Sequence, residues 1–242
     1  MSAPLPVKMA DVKARLPHDP GGFVQGLFYH QGKFIESTGG YGRSSLRRVE
    51  PDTGEILLQR SLPAHVFGEG CAPTGDGRIV QLTWRNRIAY IYDAESFRIL
   101  DTVPYPREGW GLIFDGNSLV ASDGSHRLYW LHPETLATRR RIEVRTRDGR
   151  HVTRLNEMAW VEGRILANVF PTNLIVCINP DSGLVERSWD LTDIVRQENP
   201  RHPEHVLNGI AYDPDSGRLW ITGKCWRWIY QVELPELNDW PD

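Results

Sequence analysis

The chain has 242 residues, of which 40% are hydrophobic and 24% charged, with a net charge of −3 at pH 7. That is the composition of a globular protein with material for one large all-β domain or two small ones. The charge excludes a general attraction to nucleic acid or to an anionic membrane surface, and three cysteines (Cys71, Cys177, Cys225) exclude a zinc module or a disulfide framework.

The N-terminal residues lack the apolar core of a signal peptide, and no run approaches the ~20 apolar residues of a membrane span. The expectation is a cytoplasmic protein, or an exported one whose signal has been removed. Residues 7–16 read as a short strand with interspersed charges, ending at Pro17. Residues 23–62 then hold an apolar run around Leu27, a turn at Gln31-Gly32, a second strand over 33–38 and a third over 45–49. A Pro51-Asp52-Thr53-Gly54 turn leads to a fourth, 55–61. Four short strands joined by turns are the content of one propeller blade.

The pattern recurs. Residues 67–105 turn at Gly75-Asp76-Gly77 and again near 93–96, and residues 110–144 at Asp115-Gly116-Asn117 and 132–135. Residues 155–191 turn at Glu162-Gly163 and at Asn179-Pro180-Asp181-Ser182-Gly183. The run Arg139, Arg140, Arg141, Arg145, Arg147, Arg150, Arg154 carries no interleaved aromatics and reads as a solvated strand and loop rather than a phosphate patch. Residues 192–206 are polar and contain two prolines, marking an inserted loop with a helical turn near Ile194. Residues 207–234 turn at Pro214-Asp215-Ser216-Gly217 but hold only three strands before the Pro-rich tail, so the strand at 7–16 is expected to supply the missing one. The fold class expected is all-β: a single five-bladed β-propeller domain over residues 1–242, its last blade closed by the N-terminal strand.

One tripeptide slot repeats once per blade: Gln25-Gly26-Leu27, Glu69-Gly70-Cys71, Trp110-Gly111-Leu112, Asn156-Glu157-Met158 and Asn208-Gly209-Ile210, at spacings of 44, 41, 46 and 52 residues. Innermost strands line a propeller's channel, so Gln25, Glu69, Trp110, Asn156 and Asn208 are expected to converge on the axis. A second ring is expected from the ends of the next strands: Thr38, Trp84, Asp123, Phe170 and Lys224. Aromatic walls with one acid, amides and one amine are the mixture of a small-ligand pocket. Polar residues that merely solvate a channel would look similar, but an acid among aromatics is costly unless it is paired or used.

Other signals are weak. No Gly-x-Ser-x-Gly elbow is present, and Gly68-x-Gly70 lacks a third glycine and a following helix. His202-x-x-His205 stands in a proline-bearing loop without a Cys partner and reads as surface histidines. Cys225, beside Lys224, reads as a packed thiol that strand alternation turns away from the amine.

Phe23-Val24-Gln25-Gly26-Leu27, Glu36-Ser37-Thr38-Gly39, Phe67-Gly68-Glu69-Gly70 and Gln81-Leu82-Thr83-Trp84 resemble signatures of the plant and bacterial type of glutaminyl-peptide cyclotransferase. So do Gly109-Trp110-Gly111-Leu112, Leu155-Asn156-Glu157, Ala167-Asn168-Val169, Leu207-Asn208-Gly209-Ile210 and Thr222-Gly223-Lys224 with Trp226. The resemblance covers every repeat in order. It implies a five-bladed propeller, working without zinc or another cofactor, that converts the N-terminal glutamine of a peptide or protein to pyroglutamate and releases ammonia. By motif, Glu69 is the implied acid/base, Gln25, Trp110, Asn156 and Lys224 are implied to line the substrate pocket, and Trp84 belongs to the same aromatic wall. The chemistry of cyclisation adds a stabiliser for the developing oxyanion, Lys224 or the amide of Asn156, and the two rings add Phe170 and Asn208 to the residues expected to bind substrate. Phe170 stands where the family often has Trp, and Arg227 where it tends to have Pro. A monomer is expected, with no nucleic-acid or membrane partner. The competing expectations are a calcium-dependent lactonase or esterase, with Glu69, Asn156 and Asn208 cast as cation ligands, and a non-catalytic peptide-binding propeller.

Overall fold

The computed structural model describes residues 7–237. Five sheets, each antiparallel through its four blade strands, follow one another along the chain. Blade one contains β3 (Val24–His30), β4 (Lys33–Thr38), β5 (Ser45–Val49) and β6 (Ile56–Ser61), after β1 (Val7–Met9) and β2 (Asp11–Pro17). Blade two contains β7 (Gly68–Pro73), β8 (Arg78–Thr83), β9 (Ile88–Asp93) and β10 (Ile99–Pro104). Blade three contains β11 (Leu112–Phe114), β12 (Leu119–Ser122), β13 (Arg127–Leu131) and β14 (Thr138–Glu143). Blade four contains β15 (Leu155–Val161), β16 (Arg164–Val169), β17 (Leu174–Ile178) and β18 (Val185–Asp190), and is followed by α1 (Thr192–Glu198). Blade five contains β19 (Leu207–Asp213), β20 (Arg218–Gly223) and β21 (Trp228–Glu233).

The fourth strand of blade five is β2, antiparallel to β21, with Leu16 opposite Ile229 and Val12 opposite Val232. One strand was expected over 7–16; the segment instead breaks at Ala10, and β1 pairs in parallel with β18 of blade four. The partly buried Ala10 packs into the apolar cluster between blades four and five, so the break lets one segment serve two sheets. The Pro-rich tail expected after residue 234 lies partly outside the described residues.

Each of the five apolar clusters lies between adjacent blades. Val80 and Leu82 meet Leu119 and Leu131 between blades two and three, and Phe34 of blade one meets Trp220 of blade five, closing the ring. This follows from the pleat: every strand presents alternate side chains to two sheet faces, and each face packs on the next blade. The outermost strands are correspondingly exposed, as β14 with Arg139, Arg140 and Arg141 is.

The repeated slot has a structural counterpart. In four blades the pairing of the first two strands slips there: between Val24 and Gly26, Gly68 and Cys71, Leu155 and Met158, and Leu207 and Ile210. Such bulges re-aim a side chain out of the regular alternation. In blade three β11 begins only at Leu112, leaving Trp110 ahead of the strand. The slot glycines stand where neighbouring blades meet. A Cβ on Gly70 would come within 2.5 Å of the Trp110 carbonyl oxygen, to which the Gly70 N–H donates at 2.6 Å.

Blade four carries Glu157 in the glycine's place. Its fully buried carboxylate crosses the axis to accept the backbone N–H groups of Leu27 (3.1 Å) and Ile210 (2.8 Å), joining blades one, four and five. Above this layer lies the cavity described below. On its other side Leu27, Cys71, Leu112, Met158 and Ile210 line a separate, largely apolar recess of about 390 Å³ at the opposite mouth.

Candidate active site

A cavity of about 210 Å³ opens on the face where the innermost strands begin, lined by Phe23, Gln25, Phe67, Glu69, Trp84, Trp110, Asn156, Phe170, Glu204 and Lys224. Four of the five slot residues line it. The bulges explain how: a regular strand would send Gln25 and Gly26 to opposite faces, whereas the slipped register turns Gln25, Glu69 and Asn156 toward the axis.

Glu69 is buried, and its Oε1 accepts a hydrogen bond from Gln25 Nε2 at 3.2 Å. Burial pushes its pKa well above the usual carboxylate range; the charge of Lys224 opposes that push and the charge of Glu108 adds to it. Its backbone carbonyl accepts the Ser37 hydroxyl, which in turn accepts Gln81 Nε2 at 2.7 Å, and Tyr92 donates to Gln81 Oε1 at 2.8 Å. This buried chain fixes the peptide that carries Glu69.

Lys224 follows β20, and its ammonium lies 4.9 Å from the Phe23 ring centre and 5.0 Å from that of Phe170, within cation–π range of both. Burial lowers its pKa, while Glu69, Glu204 and Cys225 pull it back up. Buried ammonium and buried carboxyl each drift toward neutrality, because each loses hydration and neither forms a direct ion pair with the other.

The walls are aromatic. Trp110 meets Phe170 edge-on at 5.9 Å, and Phe67 meets Phe23, Tyr41 and Trp84 at 6.1, 5.4 and 5.6 Å. Gly124 lets the Trp110 ring lie on its backbone, since a Cβ there would stand 2.6 Å from the indole. Trp84 is held by a hydrogen bond from its Nε1 to Glu108 (2.9 Å), with the Arg85 guanidinium 3.9 Å from its ring centre. Two polar atoms of the lining residues, Trp110 Nε1 and Asn156 Oδ1, are buried without a hydrogen-bond partner. Buried polar atoms are usually paired, and where the protein supplies no partner a water or a ligand can.

Not every residue of the two expected rings reaches the cavity. Asn208 is fully buried beneath it, donating to the Val24 carbonyl (3.0 Å) and to Gln25 Oε1 (3.3 Å). It orients Gln25, whose amide nitrogen is thereby left for Glu69. Thr38 is engaged with Ser45 Oγ at 2.8 Å, and Asp123 accepts the N–H and hydroxyl of Ser125 at 3.1 and 2.6 Å. Cys225 does not lie in a strand: it follows Lys224 in a turn at φ 59°, half-buried, and burial raises its pKa. All three cysteines are free. His202 and His205 lie on the inserted loop with His202 exposed and neither lining the cavity.

Three lining residues, Phe23, Phe67 and Glu204, lie outside the expected site set. Phe23 and Phe67 each stand two positions before a slot residue, immediately ahead of the innermost strand of their blade. Glu204 comes from the insertion, where no repeat points to it. Among the described residues the group of His, Cys, Asp and Glu close enough to share a cation is His126, Glu143 and His151, none of which lines the cavity.

A family model described as glutamine cyclotransferase matches residues 2–234. The glutaminyl-peptide cyclotransferase of Arabidopsis thaliana is 35% identical over 233 residues, covering 94% of this chain and 72% of the relative. The crystal structure of Myxococcus xanthus glutaminyl cyclase superposes with a TM-score of 0.88 at 33% identity, over 96% of this chain and 98% of that one. The WD40 domain of Neurospora crassa Pan2, at 9% identity and a TM-score of 0.52 over 88% of this chain and 75% of that one, shares the fold alone. With the family pattern matched along nearly the whole chain and the structure superposing throughout, the protein belongs to the glutamine cyclotransferase family.

Proposed function

We infer that this protein is a glutaminyl-peptide cyclotransferase, converting the N-terminal glutamine of a peptide or protein to pyroglutamate with release of ammonia. The observation that carries the reading is Glu69: a buried carboxyl with a raised pKa, held by Gln25 and faced by Lys224 inside an aromatic cavity. At about 210 Å³ the cavity is smaller than the ~300–1,000 Å³ typical of drug-sized sites, a size for one residue rather than a length of peptide.

Cyclisation needs the glutamine side chain folded back so that the α-amine nitrogen meets its own γ-carboxamide carbon. The rings of Phe23, Trp84, Trp110 and Phe170 supply that shape, and orientation accounts for much of the acceleration. The free amine, with a pKa of about 8, attacks as the neutral form. As the new C–N bond forms, its proton passes to the Glu69 carboxylate and the carbonyl oxygen becomes an oxyanion. Glu69 then returns the proton to the γ-nitrogen, the old C–N bond breaks, and ammonia leaves. A raised carboxyl pKa suits a group that must first accept and then donate. Lys224, Asn156 and the unpaired Trp110 N–H are the donors available to the oxyanion.

A calcium-dependent lactonase is disfavoured by the residues themselves. Asn208, one of its three would-be ligands, does not line the cavity, and a divalent cation beside Glu69 would meet the Lys224 ammonium. The test is ammonia release from a glutamine-initiated peptide, with and without EDTA, confirmed by the peptide's mass loss. Release that survives EDTA supports the reading. Release abolished by EDTA supports an axial cation, and binding without release supports a non-catalytic propeller.

A further inference from the structure

The longest interval between slots, 52 residues, holds α1 and the loop 199–206. This insertion is fastened to blade five. The carboxylate of Glu198, at the end of α1, is almost fully buried and accepts the Arg227 N–H (3.1 Å) and the Tyr230 hydroxyl (3.0 Å). At the loop's other end Trp226 Nε1 donates to the His205 carbonyl (3.1 Å), and the Lys224 N–H to that of Val206 (2.9 Å). Both ends are therefore tied to the segment that carries Lys224. In between, His202 shapes a tight turn, its Nδ1 accepting the Glu204 N–H at 3.2 Å and its carbonyl the His205 N–H at 3.0 Å. Glu204 is the one residue of the insertion that lines the cavity.

We propose that Glu204 sets substrate preference: its carboxylate favours a cationic side chain on the residue after the N-terminal glutamine and disfavours an acidic one. The proposal rests on the cyclotransferase reading of the cavity. Once a single residue fills that cavity, the next must leave through the mouth, where Glu204 is exposed. Among the described residues its carboxylate makes no hydrogen bond and no ion pair, and its charge is felt by Lys224 and His205. A second acid near the mouth, Glu108, is already occupied by the Trp84 N–H and, at 3.6 Å, by Arg85. Basic groups nearby include Arg85, His205 and Arg43, whose guanidinium lies 5.9 Å from the Phe23 ring centre.

The experiment compares kcat/KM for ammonia release from three peptides that differ only in the second residue: Gln-Lys, Gln-Ala and Gln-Glu. The enzymes are the unsubstituted chain, Glu204→Gln and Glu204→Lys. The expected result is the order Lys, Ala, Glu in the unsubstituted protein, with a Lys-to-Glu ratio that falls about two- to fivefold in Glu204→Gln, the scale of an exposed ion pair. It falls further in Glu204→Lys and shrinks in about 0.5 M salt. A ratio unchanged by either substitution, or an equal loss on all three peptides, overturns the proposal. Should the unsubstituted protein release no ammonia from any peptide, the cyclotransferase reading fails separately. Calorimetric binding of the same peptides then decides this proposal, and a charge ranking unaltered in Glu204→Gln overturns it.

Discussion

At the scale of single residues the site is a set of opposed compromises. Glu69 and Lys224 are each drawn toward neutrality by burial and back toward charge by the other. Glu69→Gln keeps the shape and a hydrogen-bonding partner for Gln25 but removes the proton carrier. The expected outcome is a kcat about 100-fold or more lower, with KM and melting temperature little changed; near-normal turnover would sink the assignment. Asn208→Ala leaves Gln25 free to rotate its amide away from Glu69. Its signature is a fall in kcat with the pH–rate profile shifted, because Glu69 loses the donor that favours its charged form. A uniform loss of folded protein with an unaltered pH profile would mean that Asn208 only supports the fold. Glu69, Gln25, Trp110, Asn156 and Lys224 were legible in the sequence, because one slot per repeat and the family's motifs mark them. Asn208 shares the slot, yet the side-chain contacts that draw it beneath Gln25 carry no local signal.

At the scale of elements, two buried networks hold strands where the site needs them. Glu157 replaces the slot glycine of the other blades and binds two backbone N–H groups across the axis. Its burial raises its pKa well above normal, with those two hydrogen bonds opposing the rise. Glutamine at 157 offers one acceptor oxygen for two donors, so Glu157→Gln is expected to cost about 1–3 kcal/mol, read as a lower denaturation midpoint. The second network ends β2. His18 Nε2 meets Glu36 Oε2 at 2.7 Å, its Nδ1 meets the Trp226 carbonyl at 2.7 Å, and Arg47 reaches Glu36 and Asp19 at 3.4 and 2.9 Å. Burial alone would lower the His18 pKa, but the charge and hydrogen bond of Glu36 with the Trp226 carbonyl outweigh it, and the net shift is upward. A histidine whose folded pKa is raised contributes stability that is complete below its unfolded pKa of about 6.5 and is lost as pH rises through the folded value. The melting-temperature advantage of the native chain over His18→Gln should therefore shrink as pH is raised above that point. An advantage that is constant or grows would refute the pairing.

At the scale of the whole molecule, the ring closes through β2, which joins the N-terminal segment to blade five, while β1 reaches blade four. We propose that the chain behaves as one domain whose blades unfold together, since each apolar cluster is shared by two blades. Deleting residues 1–17 exposes the edge of β21 and removes Val12 and Leu16 from two of those clusters. Calorimetry should then show melting about 10 °C or more lower and a broader transition, with aggregation through the unpaired edge. An unchanged single transition would show that the latch is dispensable.

The sequence by itself determined the architecture, because turn residues and strand periodicity are local and recur at a near-constant spacing. It also determined the identity of the slot residues, because equal positions in a closed ring must converge. Only the tertiary structure decided which of those residues reach the cavity. The bulges that aim Gln25, Glu69 and Asn156 inward are register slips between two strands, and neither strand encodes them alone. The division of residues 7–16 between two blades and the placing of Glu204 over the cavity are likewise contacts between segments far apart in the chain. Packing against a distant partner leaves no period in the sequence to read.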